Sequence, residues 1–326
     1  MNKLFRNHFG EKALICMGFF FLSYVGAIGQ NQAYADSLEI VHSEGTFQES
    51  AHMEILNELI TVSTDPDKVI LFCNELIHRA EESGVKQYAF RGYVAKGQAL
   101  RLKGELPLSL ENHYKANEIA REMDDPTNIG ISELNIADVF QVMGNFDSAK
   151  EYYESAIRRL RAENDSLNVA SGLINLGDAY NLMNKPDSAL IFLQEGETLM
   201  KSLQDDLGIA YSQGNIGISY ALKGRNQEAE DYMNSAVAIL TQLGDSYGIS
   251  AYLKYISDVY LDQSNYNNAL SFAMQSVDIA QEFGLKEQLS EGNLKIAEIY
   301  EAMGDTIATY KYFKKHVAYK DSLTNI

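Results

Sequence analysis

The chain has 326 residues, a hydrophobic fraction of 46%, and 27 basic against 45 acidic residues, for a formal net charge of -18. That apolar content excludes a disordered chain, and the negative charge repels phosphate backbones and anionic lipid, so nucleic acid is not expected as a partner.

In chain order, the first segment is written differently from the rest. "MNKLFRNHFGEK" is net basic, "ALICMGFFFLSYVGAIG" is apolar, and Ala33 and Ala35 put small residues at the two positions a signal peptidase reads. The pattern predicts a signal peptide over residues 1–35, cleavage after Ala35, Asp36 as the first mature residue, and a periplasmic or secreted protein. Retention as an uncleaved anchor is the alternative, although the apolar run is slightly short of the ~20 residues a span needs. Ile15 stands where a lipoprotein signal places a small residue before its cysteine, so Cys16 is not read as a lipid anchor. No other segment approaches spanning length, so no membrane span is expected in the mature chain unless the signal is retained. The mature chain then carries Cys73 alone, within "ILFCNELI", where a lone thiol reads as a small buried hydrophobe without a disulfide partner.

Residues 36–86 form an N-terminal segment whose second part, from about residue 47, reads as a divergent first repeat ending in "DPDKVILFCNELIHRAEESG". From residue 87 to 326 a period of forty residues governs the text. A small-residue column runs Gly97, Ala137, Gly177, Gly217, Ser257, Ala297, and three positions later comes Leu100, Phe140, Tyr180, Tyr220, Tyr260, Tyr300. A turn column holds Gly104, Gly144, Asn184, Gly224, Ser264 and Gly304, and a second small column holds Ser109, Ala149, Ala189, Ala229, Ala269 and Thr309.

Between the columns the spacing is helical. Ala149, Tyr153, Ala156 and Leu160 share one helix face, with Lys150, Glu151 and Arg158 on the other. Leu134, Ala137 and Phe140 mark the preceding helix. Each unit therefore reads as a helical hairpin whose helices approach where the small residues stand, with the aromatic filling the groove beside that contact. Gly or Asn in the turn column suits a left-handed residue ending the first helix, and Asp147, Pro186 and Asp187 suit the first turn of the second. One hairpin cannot bury its apolar face, so the units must stack.

In these residues the sequence resembles the tetratricopeptide repeat family. The likeness rests on Gly177, Tyr180, Ala189, Leu193 and Gly196 and their counterparts in register, from about residue 87 to the C-terminus. Two departures accompany it: the usual unit is about 34 residues, and the family's early Trp is replaced by Tyr93, Leu173 and Leu253. The longer unit looks like an extended 40-residue bacterial variety, of the type found in exported Bacteroidetes proteins. The resemblance implies an all-α fold, a right-handed superhelical solenoid of stacked antiparallel helix pairs. It also implies a protein–protein or peptide-binding scaffold.

Motifs for chemistry are missing from the sequence: there is no phosphate-cradling glycine loop, HExxH, paired-cysteine spacing or GxSxG. His8, His42, His52, His78, His113 and His316 do not cluster along the chain, so neither a metal, a cofactor nor a catalytic residue is expected. In the family the first helix of each unit lines the inner surface. Asn135, Asn175 and Asn215 fall there, where their amides would pair with an extended peptide's backbone, although three solvated side chains fit the same pattern. Asp138, Asp178, Asp258 and Glu298 form a second inner column that would repel an acidic tail and favour a basic ligand, although an ordinary acidic exposed face screened by salt fits the same pattern.

The last helix carries Ile307, Tyr310, Tyr312, Phe313, Val317 and Tyr319, more apolar surface than one neighbour covers; a monomer whose tyrosines tolerate a wet boundary and a homodimer or partner contact both fit the pattern. Two functions remain open: a free-standing binding scaffold, or the sensor arm of a membrane signalling system whose kinase, cyclase or DNA-binding output domain lies elsewhere.

Overall fold

The computed structural model describes residues 28–45 and 48–324. Most of the proposed signal peptide, residues 1–35, lies outside them. The described chain is all-α: α1 (Ile28–Glu44), α2 (Glu49–Val62), α3 (Pro66–Ser83), α4 (Lys86–Leu102), α5 (Leu106–Glu122), α6 (Pro126–Val142), α7 (Phe146–Ala162), α8 (Ser166–Leu182), α9 (Pro186–Leu203), α10 (Asp206–Leu222), α11 (Asn226–Leu243), α12 (Ser246–Asp262), α13 (Tyr266–Glu282), α14 (Lys286–Met303) and α15 (Thr306–Thr324). From α3 onward each helix starts twenty residues after the one before. The forty-residue period is thus two helices and two short turns of equal length.

The turns repeat with the same step. The residue closing each helix has positive φ: Gly104, Gly144, Asn184, Gly224, Ser264 and Gly304 in one column, and Gly84, Asp124, Asn164, Gln204, Gly244 and Gly284 in a second that the sequence reading did not pick out. The following amide closes the helix end: the N–H of Glu105, Asn145, Arg225 and Asp305 donates to the carbonyl of Leu100, Phe140, Tyr220 and Tyr300, each at 2.9 Å. The first helix of a pair is then started by a carboxylate cap. Asp125, Asp205 and Asp245 accept from the backbone N–H of Asn128, Gly208 and Gly248 at 3.0, 2.9 and 3.0 Å.

The chain divides into two compact units, one within Ala27–Ala179 and the other within Tyr180–Ile326, with the division inside α8. Each is a stack of antiparallel helix pairs. In the first, α2 packs on α3, α4 on α5 and α6 on α7, and α3–α4 and α5–α6 join successive pairs. In the second, α10 packs on α11, α12 on α13 and α14 on α15, joined through α9–α10, α11–α12 and α13–α14. The place of the divergent first repeat is taken by α2 and α3, and α1 packs on α2.

The small residues mark where helices of a pair meet. A Cβ on Gly217 would fall 2.6 Å from Met233 Cγ and 3.0 Å from the Ala229 carbonyl oxygen, and Ala137, Ala149, Ala229 and Ala269 are fully buried. Two Ser hydroxyls use the close approach, Ser109 donating to Gly97 O at 2.7 Å and Ser257 to Ala269 O at 2.8 Å. Each aromatic beside the small column meets a ring twelve residues later in its own pair, stacked for Phe140 on Tyr152 (5.7 Å, 23°), Tyr180 on Phe192 (5.4 Å, 2°), Tyr260 on Phe272 (5.4 Å, 6°) and Tyr300 on Tyr312 (5.6 Å, 18°), and tilted for Tyr220 and Tyr232 (5.5 Å, 38°). Such a pair contributes about 0.5–1.5 kcal/mol beyond its buried area.

Tyr312 is therefore committed to its own pair, and Tyr319 donates to Gln281 Oε1 at 3.1 Å. Both had been expected among the exposed apolar residues of the last helix. Ile307, Tyr310, Phe313 and Val317 remain exposed and fall on one face of α15. Cys73 is fully buried and burial pushes its thiol up to about 12, as a small apolar residue.

Candidate binding surface

Successive first helices present the Asn and Asp columns to each other, and the side chains bond across the layers. In the first unit Gln98 Nε2 donates to Asn135 Oδ1 at 2.8 Å, Asn175 Nδ2 to Asp138 Oδ1 at 3.0 Å, and Gln141 Nε2 to Asp178 Oδ2 at 2.8 Å. All three pairs are separated by thirty-seven residues, one period less one helical step of three. Asn135 Nδ2 turns back to Ile131 O at 2.8 Å. Tyr153, from α7, donates to Asp138 Oδ1 at 2.6 Å and lies 3.0 Å from Gln141 Oε1.

The second unit repeats the spacing with different chemistry. Lys295 pairs with Asp258 in the layer before it and with Glu298 on its own helix, and Lys254 Nζ lies 3.0 Å from Glu291 Oε2. Burial opposes the charge of Lys295, but the two carboxylates outweigh it and hold the ammonium above its usual range. Lys254 also lies over the Tyr255 ring at 5.1 Å. Asn181 Nδ2 donates to the Asn215 carbonyl oxygen at 3.0 Å, and Ser219 Oγ to Asn181 Oδ1 at 2.7 Å.

This geometry corrects two readings. The carboxylates are not a stripe of free charges, because Asp258 and Glu298 share Lys295, while Asp138 and Asp178 are held by Tyr153, Asn175 and Gln141. Burial raises the carboxyl of Asp138, and it pushes Asp178 up to about 7, opposed by the Gln141 hydrogen bond and assisted by the Asp138 charge. The Asn column is not a row of solvated side chains either: Asn175 is 6% exposed and Asn215 1%. The Oδ1 of Asn175, and both Oδ1 and Nδ2 of Asn215, are buried without a hydrogen-bond partner. Such groups are uncommon in folded proteins, because an unmade hydrogen bond costs about 1–3 kcal/mol.

His113 is fully buried against Gly97, where a Cβ would fall 2.5 Å from its ring, and desolvation pushes its pKa down to about 3, so the ring is neutral. The expectation that the histidines do not cluster fails for His42 and His52, whose rings lie 5.0 Å apart. They come from separate helices, and the folding of α1 onto α2 brings them together.

Stacked helix pairs with polar side chains bonded across the first helices define a helical-repeat scaffold. Sequence agrees: residues 128–202 and 206–282 match the family model "Tetratricopeptide repeat", together a little under half of the chain. No curated protein matches the sequence. Among solved structures, the chain is similar to the Rap conjugation gene regulator of plasmid pLS20 in complex with the Phr* peptide, at 16% identity and TM-score 0.66, covering 86% of this chain and 78% of that one. It is similar to NprR in complex with its cognate peptide NprX, at 16% identity and TM-score 0.64, covering 90% and 87%. A Rap protein complexed with Competence and Sporulation Factor is similar at 12% identity and TM-score 0.64, covering 93% and 96%. These likenesses are of fold. No helix among the described residues is long and apolar enough to cross a membrane.

Proposed function

We propose that the chain is a non-catalytic scaffold that binds an extended peptide or a protein segment on the inner columns of its first helices. The observation that carries this is Asn215, whose amide is buried in the second unit with both polar atoms unspent. A peptide backbone supplies one N–H and one C=O per residue, the pair an Asn amide matches. Asn175 Oδ1 offers a further acceptor in the first unit. These atoms are closed to bulk water, so engagement requires the side chains around them to adjust. The Rap and NprR structures, which carry bound peptides, lend the reading support at the level of fold. No preference for basic ligands is carried into the proposal, since Lys295 pairs with Asp258 and Glu298 and burial shifts Asp138 and Asp178 toward their neutral forms.

The scaffold is proposed to act after export, with the basic head, apolar run and Ala33–Ala35 site as the support. The exposed face of α15 formed by Ile307, Tyr310, Phe313 and Val317 is proposed as a contact for a second copy or a protein partner.

The test is affinity capture from the periplasm of the source organism with the mature chain as bait, followed by titration of the captured peptide segment. Asn215→Ala is expected to lower affinity at least about tenfold, the loss of one to two hydrogen bonds, with an unchanged melting temperature. Full affinity in both Asn215→Ala and Asn175→Ala would remove the inner columns from the proposal. N-terminal sequencing of the exported protein tests the Asp36 start.

A further inference from the structure

The N-terminal end of the first unit holds a cluster that the scaffold reading does not use. His42 from α1, His52 from α2 and Glu75 from α3 converge from three helices. His52 Nε2 lies 3.0 Å from His42 Nδ1 and 3.3 Å from Glu75 Oε1, and His42 Nε2 lies 3.2 Å from Glu75 Oε2. One ligand atom from each residue falls within 4.8 Å of the other two. From these residues we infer a binding site for a divalent zinc-like cation that fastens α1 to α2 and α3.

The distances suit the ion. Zinc holds imidazole nitrogen and carboxylate oxygen at ~2.0–2.2 Å, which places neighbouring ligand atoms of a tetrahedron ~3.3 Å apart. With one nitrogen from each imidazole and one Glu75 oxygen within 4.8 Å of one another, side-chain rotation brings the three to one centre. Two histidines and a carboxylate are a zinc donor set, and three protein ligands leave a fourth position for water, the layout of an exchangeable rather than a closed site.

The surroundings support the same ion. Arg79 Nε and Nη2 donate to Glu75 Oε1 at 3.0 and 2.9 Å, so that oxygen is shared between the guanidinium and His52 while Oε2 faces His42. The guanidinium is also bound by Glu49, at 3.1 Å to both oxygens. With Glu75 and Glu49 negative and Arg79 positive, the cluster carries one net negative charge before the cation arrives. Phe72 packs edge-on against His42 at 5.8 Å and 89°, giving the site an apolar wall that strengthens ligation. The side chains of His42 and His52 are 18% and 13% exposed, so an ion reaches them from solvent.

The position gives the site its consequence. On the part of α1 that follows the proposed cleavage site, Leu38 packs on the core from a half-buried position and Lys68 reaches Glu39 at 2.7 Å. A bond from His42 through the ion to His52 and Glu75 would add the strongest attachment α1 has.

The experiment uses the full chain, freed of metal with a chelator and dialysed, then titrated with zinc sulfate alone and assayed by equilibrium dialysis with metal analysis. One zinc per wild-type chain is expected. The double variant His42→Ala/His52→Ala loses that zinc, Glu75→Gln, which keeps shape and hydrogen bonding, binds at least about tenfold more weakly, and His78→Ala/His316→Ala binds as wild type. Circular dichroism confirms that each variant keeps its helices. Zinc is expected to slow proteolysis within α1 in the wild type and not in the double variant. Wild type taking up no more zinc than His42→Ala/His52→Ala overturns the site, and stoichiometric zinc without protection of α1 overturns its fastening role.

Discussion

Gly214 faces the ring of Tyr252 in the next layer, and replacing it with Ala tests whether the stack depends on that fit. An ideal Cβ on Gly214 falls 2.0 Å from Tyr252 Cζ, 2.2 Å from Cε1 and 2.5 Å from Cε2. Carbon atoms pack at ~3.5–4.0 Å, so the ring or its helix must withdraw by roughly 1.5 Å. The ring has little room to do so. It is 0% exposed, lies against Tyr211 at 6.0 Å and 60°, and its hydroxyl donates to Tyr211 O at 3.3 Å. Tyr211 is itself tied to the next layer by donating to the buried Asp245 carboxylate. Overpacking costs ~1–3 kcal/mol, here toward the upper end, and the better helix propensity of Ala offsets ~1 kcal/mol. A net loss of ~1–2 kcal/mol is expected. Urea unfolding followed by far-ultraviolet circular dichroism measures it, with Tyr252→Leu as the second arm of a double-mutant cycle. In the Tyr252→Leu background Gly214→Ala should become neutral or stabilising, a coupling of ~0.5–3 kcal/mol. Gly214→Ala as stable as wild type, with no coupling to Tyr252, would refute the packing argument.

Asp178 gives a pH dependence with a defined sign. Its carboxyl is held at about 7, so between its ordinary value of 3.8 and that point the folded protein keeps a proton that the unfolded chain has released. Stability is then greatest below that window and falls as pH rises through it, by up to ~1.4 kcal/mol per unit, and Asp178→Asn should flatten this slope and stabilise the protein above it; equal slopes in urea midpoints for the two proteins would contradict the burial argument. Gly217→Leu, which drives atoms into Met233 and the Ala229 carbonyl, should destabilise by at least ~1–3 kcal/mol in the same melts, whereas Asn215→Ala, which removes an unpaired buried amide, should leave stability unchanged or slightly higher. Cys73, with its thiol at about 12, should resist an aromatic disulfide reagent in the native protein and react only as fast as the chain opens. Ile307→Lys/Phe313→Lys should turn any dimer seen by light scattering into monomer with helicity intact; a dimer unaffected by the change would move the contact off α15.

The sequence by itself determined the two small-residue columns and one of the two turn columns. Small residues such as Gly217 and Ala229 and the closing residues such as Gly104 act within one hairpin, so their spacing exposes them to direct reading. The ring partners at Tyr152, Phe192, Phe272 and Tyr312 carried the same period and were legible in principle, as were the carboxylate caps at Asp125, Asp205 and Asp245. Tertiary structure decided depth and partnership between layers. An Asn on the inner face of a helix has the same letter whether it is solvated, bonded to the layer below like Asn175, or buried and unpaired like Asn215. Periodicity reports which way a side chain points, and only the neighbouring helix decides whether water reaches it. His42, His52 and Glu75 lie outside the repeat columns altogether, and no period could bring them together. Their meeting depends on how α1 folds back over α2 and α3, a long-range arrangement fixed by packing.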